Sequence, residues 1–235
     1  MSHLNILSGG AAHGLVASVA PKFKALTGLD IEGEFGAVGV MADKLRTGTP
    51  ADIVVLTAAL IAKLGAENLV VSVSIADIGL VETAMAVRAG DPRVSVGDAA
   101  ALRAAFLAAD AIFVPDTAAS TAGIHVAKVL RQLGIADEVA ARLKIYPNGA
   151  TAMRHLAASD AARPVGCTQS TEIISTQGVT LSGSLPEGCE LSTMYTAAVA
   201  TKAAAAQHAR SLIALLTGTD QRELRERAGF LSGQK

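Results

Sequence analysis

The chain has 235 residues and a mass of 23.8 kDa, long enough to bury a large core without metal or disulfide staples. Apolar residues make up 51% and charged residues 17%, which excludes a disordered chain. A formal net charge of −1, a pI near 6.5 and 3% aromatics without Trp leave no basic footprint for nucleic acid or a membrane surface and few rings for base stacking.

The elements follow in chain order. Leu4 to Ser8 reads as a short strand closed by Gly9-Gly10, and Leu15, Val16, Val19, Phe23 and Leu26 then fall on one helical face. Asp30 to Phe35 alternates as a half-buried strand. A short helix through Val40, Met41 and Leu45 ends at Gly48-Thr49-Pro50, and Asp52 leads into the buried strand Ile53–Leu56. Thr57 can cap the helix Ala58–Leu64. Val70 to Leu80 and Glu82 to Arg88 read as extended. Alternation resumes with helix Ala99–Ala108, strand Ala111–Val114, helix Ala122–Leu133, a short helix Asp137–Leu143, strand Lys144–Tyr146, helix Ala150–Ala157, strand Val165–Thr168 and helix Gln169–Ile174. A return strand Leu191–Val199 and helices Lys202–Leu216 and Asp220–Ala228 finish the chain. Forty-seven alanines favour this helical content.

Strands alternating with helices predict α/β architecture with mostly parallel sheets covered on both faces. The two extended crossings predict two lobes, residues 1–81 plus 194–235 and residues 82–193, joined by a hinge, with a ligand cleft between them at strand C-terminal ends and helix N-terminal ends.

Met1-Ser2-His3 runs directly into Leu4-Asn5-Ile6-Leu7 without the charged segment and long apolar core of a signal peptide. This predicts a cytoplasmic protein, or a periplasmic one if a leader has been removed. No uncharged run of about 18 apolar residues occurs, so no membrane insertion is expected. P-loop, HExxH and GxSxG motifs are absent, and Ser8-Gly9-Gly10-Ala11-Ala12-His13-Gly14 lacks dinucleotide-binding spacing. Cys167 and Cys189 form no CxxC pair and read as small buried thiols. No cofactor and no metal site is expected.

Four stretches carry a family resemblance: the strand break at Ser8-Gly9-Gly10, then Gly48-Thr49-Pro50-Ala51-Asp52-Ile53, then Ser120-Thr121-Ala122-Gly123-Ile124-His125, and finally Met194-Tyr195-Thr196-Ala197-Ala198-Val199. In this order, from Leu4 to about Phe230, the chain resembles the periplasmic-type (type II) solute-binding proteins of ABC importers, in their molybdate-binding branch. Gln169-Ser170-Thr171-Glu172-Ile173 adds a resemblance to a leaderless subgroup. The resemblance implies a two-lobed fold, a small anionic ligand and, for an exported protein, an ABC permease as partner.

In molybdate binders the first two loops present serine hydroxyls to the oxyanion. Here Ala11 and Ala12 stand where one is expected, and Phe35-Gly36-Ala37-Val38-Gly39 holds no hydroxyl. Weak molybdate binding and preference for a small organic acid are therefore expected. The candidate ligand-binding residues are Ser8, Gly9, Gly10, His13 and Gly39, with Ser120, Thr121 and Gln169 at the helix starts of the second lobe and Tyr195 on the return strand. Ser120 and Thr121 also suit N-capping, Arg154 suits a solvated face, and His125 suits packing. Binding without covalent chemistry is the leading reading. The resemblance also leaves open an aconitate-type isomerase, whose 1,3-proton shift needs a base and an acid; His13, Glu172 and Tyr195 are the candidate proton carriers.

Overall fold

The computed structural model describes residues 3–232. The described residues form two compact units: one holds those up to Val81 and those from Thr193, the other is Glu82–Ser192.

The first unit opens with β1 (His3–Gly9), a 3-10 segment Gly10–Ala12 and α1 (His13–Thr27). It continues through β2 (Asp30–Gly36), α2 (Val38–Arg46), β3 (Ile53–Thr57) and α3 (Ala58–Ala66), and reaches β4 (Ala76–Arg88), which crosses the boundary at Val81. The second unit follows with α4 (Ala99–Ala108), β5 (Ala111–Pro115), α5 (Thr121–Gln132), α6 (Ala136–Val139), β6 (Leu143–Tyr146), α7 (Gly149–Ala157), β7 (Pro164–Gln169), α8 (Ser170–Ile174) and β8 (Val179–Ser184). The chain returns on β9 (Ser192–Val199) and ends with α9 (Ala206–Thr217) and α10 (Arg222–Arg227).

In the first unit β1 lies between β2 and β3, parallel to both, and β9 runs antiparallel to β3. Every residue of β3 is buried, which is why Ile53–Thr57 reads as an unbroken apolar run rather than an alternating one. β2 is the edge, and Asp30, Glu32 and Glu34 on it resist pairing with another chain. Leu4, Ile6, Leu15, Phe23, Ile53 and Leu56 anchor one core that also takes in Leu212 and Leu216 of α9, so both ends of the chain share it.

Asp52 fastens that core. It is 2% exposed, Oδ2 accepts from the Asn5 N–H at 2.8 Å, and Oδ1 accepts from the Ala205 N–H at 2.7 Å. One carboxylate thus ties the start of β1 to the approach of α9 and satisfies two buried donors. The short Thr49-Pro50-Ala51 segment ahead of it delivers this carboxylate just before β3 begins.

In the second unit β5 is flanked by β6 and β7, both parallel to it, and β4 pairs antiparallel with β7 and with β8. Two clusters cover the two faces of this sheet. Met85, Cys167, Val126 and Val129 pack with α4 and α5 on one face; Ala84, Ala86, Ala152, Met153 and Leu156 pack with α7 on the other. Successive residues of β4 and β7 alternate between these clusters, as the pleat requires.

Three local expectations change. Val70–Ile75 is not strand: it holds a 3-10 turn at Ser72–Ser74, and the extended segments on either side of Val81 are one continuous strand. The strand β8 was not foreseen, because Val179-Thr180-Leu181-Ser182-Gly183-Ser184 is rich in serine and glycine and carries only two large apolar residues. The helix expected from Lys202 begins only at Ala206, after a turn that brings the Ala205 N–H to Asp52.

Candidate functional site

Helix starts carry free N–H groups, and a side chain usually caps them. Three helices here are capped in that way. Thr57 accepts from the Leu60 N–H at the start of α3, Asp98 from the Ala101 N–H at the start of α4, and Asn148 from the Thr151 N–H at the start of α7. No side chain caps the 3-10 segment after Gly9, α2 after Ala37, or α5 after Ser120.

The first two uncapped starts lie together in the first unit. β1 and β2 are parallel neighbours with Gly9 level with Gly36, so both helix starts emerge at the same carboxyl edge. Gly9 allows their close approach: a Cβ there would lie 2.7 Å from Val38 Cγ1 and 2.9 Å from Tyr195 Cε1, with the Tyr195 hydroxyl 3.5 Å away. The structure therefore gathers Gly9, Gly10, the first turn of α2 with Gly39, and the Tyr195 ring. Tyr195 is buried, and its ring meets Phe230 edge-on at 6.3 Å between centroids. His13, the first residue of α1, is exposed and packs edge-on against Phe35 of β2 at 4.6 Å.

Ser8 takes a different part from a ligand hydroxyl. It is fully buried and its Oγ donates to the Gly9 carbonyl at 2.9 Å. The polar groups this edge offers are backbone N–H groups, the Tyr195 phenol and the His13 imidazole.

In the second unit Ser120 is the N-cap residue of α5 and Thr121 its first residue. Asp116 shapes the loop that delivers them, because Oδ1 accepts from the Ala118 and Ala119 N–H groups at 2.7 and 2.9 Å. Sequence reading passed over Asp116; its signal is an acid directly after a buried strand and four residues before a helix cap. Gly123 lets α5 sit on this loop, since a Cβ there would lie 2.1 Å from the Asp116 carbonyl oxygen. Gln169 ends β7, is buried, and precedes α8.

Glu172 is a buried carboxyl bonded to groups of its own unit. It is 5% exposed and its Oε2 accepts from Thr168 Oγ1 at 2.6 Å. The backbone N–H groups of Ala150, Gln169 and Gly149 also donate to its carboxyl. The side chain thus plugs the start of α7, where the helix dipole favours a negative group. Burial pushes its pKa up, against the pull of the Thr168 hydroxyl and those backbone groups. A Cβ on Gly149 would lie 1.9 Å from Oε2, so only glycine leaves room for the plug. His125 and Arg154 are structural as well. His125 Nε2 contacts the Cys189 carbonyl at 2.8 Å, and exposed Arg154 donates to Thr151 Oγ1.

Residues 4–231 match the family model of bacterial extracellular solute-binding proteins. Among curated proteins, an aconitate isomerase from a Pseudomonas species is 27% identical over 238 residues, covering 97% of this chain and 87% of that protein. Among solved structures, the periplasmic molybdate-binding protein of Azotobacter vinelandii superposes with a TM-score of 0.80 at 16% identity, covering 99% of this chain and all of that one. The sulfate-binding protein of Mycobacterium tuberculosis gives 0.74 at 18% identity, covering 98% and 86% of the two chains. The substrate-binding domain of a molybdenum ABC transporter of Clostridium difficile gives 0.68 at 16% identity, covering 99% of each. At these identities the likeness shows the fold, which is the type II solute-binding fold that the four motifs imply.

Proposed function

We propose a ligand class on one premise: the chain belongs to the family of bacterial extracellular solute-binding proteins. Within it, this chain binds a small organic acid carrying more than one carboxylate. The observation that supports this reading is the paired, uncapped helix starts at Gly9 and Ala37, served by backbone N–H groups and a phenol rather than by serine hydroxyls. Backbone donors at helix starts favour an anion, and their fixed directions suit planar carboxylate oxygens. A metal oxyanion relying on side-chain hydroxyls is served poorly there. In the binding role the partner is the permease of an ABC importer; no helix among the described residues is long and apolar enough to cross a membrane.

The relative at 27% identity favours a second reading, an isomerase of aconitate type. A base removes a proton from the methylene carbon next to the double bond, the π electrons shift, and a proton is returned two carbons away, so no atoms are gained or lost. His13 is the exposed imidazole at the uncapped edge and Tyr195 the phenol beside Gly9, which suits them to the proton-carrying roles.

A thermal-shift screen with cis-aconitate, trans-aconitate, citrate, molybdate and sulfate tests both readings, because a ligand bound to the native state raises Tm by mass action. Stabilisation by the carboxylates and not by molybdate supports the organic-acid reading; submicromolar molybdate affinity in calorimetry would overturn it. Interconversion of cis- and trans-aconitate, lost in His13→Ala while binding persists, would place the isomerase reading first.

A further inference from the structure

Two hydroxyls of the second unit, Thr83 Oγ1 and Thr171 Oγ1, are buried and have no hydrogen-bond partner among the described residues. The residues are 1% and 2% exposed. Buried hydroxyls in native proteins are nearly always paired, so each such exception asks for a missing partner.

The sheet register shows where Thr83 points. Thr83 on β4 is paired with Gln169 on β7, and directly paired residues project to the same face. The next pair on that face, Met85 and Cys167, packs in the cluster that contains Val126 and Val129 of α5. Thr83 therefore faces the α5 side, one pair closer to the carboxyl end of β7. Because β5 runs parallel to β7, the first turn of α5 lies at that same end. This is the twelve-residue helix whose N-cap, Ser120, makes no side-chain cap. Thr171 follows two residues after Gln169, on the first turn of α8.

The opposite face of the sheet makes the contrast. There Thr168 and Glu172 fill the start of α7, so that helix end already holds an internal carboxyl group and the Thr168 hydroxyl is satisfied. On the α5 face the Asp116 carboxylate is bonded to the Ala118 and Ala119 N–H groups of the preceding loop, no side chain caps the helix itself, and the Thr83 hydroxyl has no acceptor among the described residues. A hydroxyl donor and a positive helix end that both lack a partner have one complement, an anionic oxygen from outside the chain.

We infer that Thr83 donates its hydroxyl to a carboxylate oxygen of a small organic acid held at the start of α5, making it a specificity-determining residue. The inference rests on the organic-acid reading above. Thr83 lies in none of the motif stretches and would pass for an ordinary strand residue.

The test uses Thr83→Val, which keeps the shape and removes the hydroxyl, with Thr83→Ser as the conservative control. Each full-length variant is titrated calorimetrically with cis-aconitate, and its Tm is measured without ligand. The expected result is a double signature. Affinity for cis-aconitate falls about ten-fold or more in Thr83→Val, the loss of one hydrogen bond to a charged group, and is kept in Thr83→Ser. The ligand-free Tm is unchanged or higher, because an unsatisfied buried hydroxyl has been replaced by a methyl group. A Thr83→Val protein that binds as tightly as the parent, or whose ligand-free Tm falls, overturns the inference alone. A parent that binds none of the carboxylates overturns the organic-acid reading, and this inference with it.

Discussion

Thr168 Oγ1 donates to Glu172 Oε2 over 2.6 Å, four residues apart across the junction of β7 and α8, and together the two side chains fill the space that a Cβ at residue 149 would need. A strand end, a short helix and the start of α7 are thereby locked through one carboxyl group. The lock is assembled from three separate segments, and each member can be removed singly.

Replacing Glu172 by Gln keeps the volume but turns an amide NH2 toward groups that are themselves donors. A loss of about 1–3 kcal/mol at pH 7 is expected in urea unfolding. The pH dependence has a definite sign. Burial raises the folded-state pKa above 4.5, the ordinary glutamic value, so the folded state keeps a proton that the unfolded chain has released. This contribution is fully present below pH 4.5 and is lost as pH rises through the folded-state value. The parent should therefore lose stability relative to Glu172→Gln over that rise, and a difference independent of pH would contradict the assignment.

Asp52→Ala removes the acceptor for both the Asn5 and the Ala205 N–H groups. Two buried donors lose their partner at once, and a destabilisation of roughly 2–5 kcal/mol is expected by denaturant titration. Asp52→Asn keeps one carbonyl oxygen and should lie between the two proteins.

Gly149→Ala and Gly9→Ala separate stability from binding. At residue 149 the new methyl meets a carboxylate held by four donors, so the loss of stability should reach about 3 kcal/mol. At residue 9 it meets the flanks of Val38 and Tyr195, which are apolar and can shift. Thermal unfolding should report a smaller loss there, about 1–2 kcal/mol, while calorimetry reports weaker binding of cis-aconitate through the displaced phenol.

Cys167 and Cys189 are free and buried, and burial pushes both thiol pKa values up. Neither should react with a thiol reagent at pH 8 in the folded protein, and both should titrate in guanidinium. Rapid labelling of Cys167 under native conditions would show that β7 opens locally.

The alternation of strand and helix is written in local pattern, and this is why β1, β3, β5 and β7 could be read with little error. Ile53–Leu56 is a continuous apolar run because both faces of β3 are covered, and Phe23 and Val19 mark the inward face of α1 because a helix buries one stripe. β8 escaped because an edge strand that packs on one side through Val179 and Leu181 needs few apolar residues. At the candidate site, glycines and turn residues announced where chain direction changes, so Gly9, Gly10 and Ser120 stood out. What each polar side chain does there was not legible. Ser8 and Glu172 are both polar residues near a strand end, yet one bonds to its neighbour's carbonyl and the other plugs a helix 23 residues upstream. Those choices depend on which segments the sheet order brings together. The same holds for Thr83, whose neighbour Gln169 lies 86 positions away in the chain.

The route of β4 out of the first unit and of β9 back into it has a bearing on how the protein is made. β3 needs β9 as its neighbour, and the core around Leu15 and Phe23 needs Leu212 and Leu216. Neither is available until residues 192–216 have left the ribosome, long after Leu15 and Phe23. The second unit, by contrast, is a single uninterrupted stretch from Glu82 to Ser192. Synthesis therefore favours an order in which the inserted unit folds first, while β1, β2 and β3 wait, unfinished, for β9 and α9.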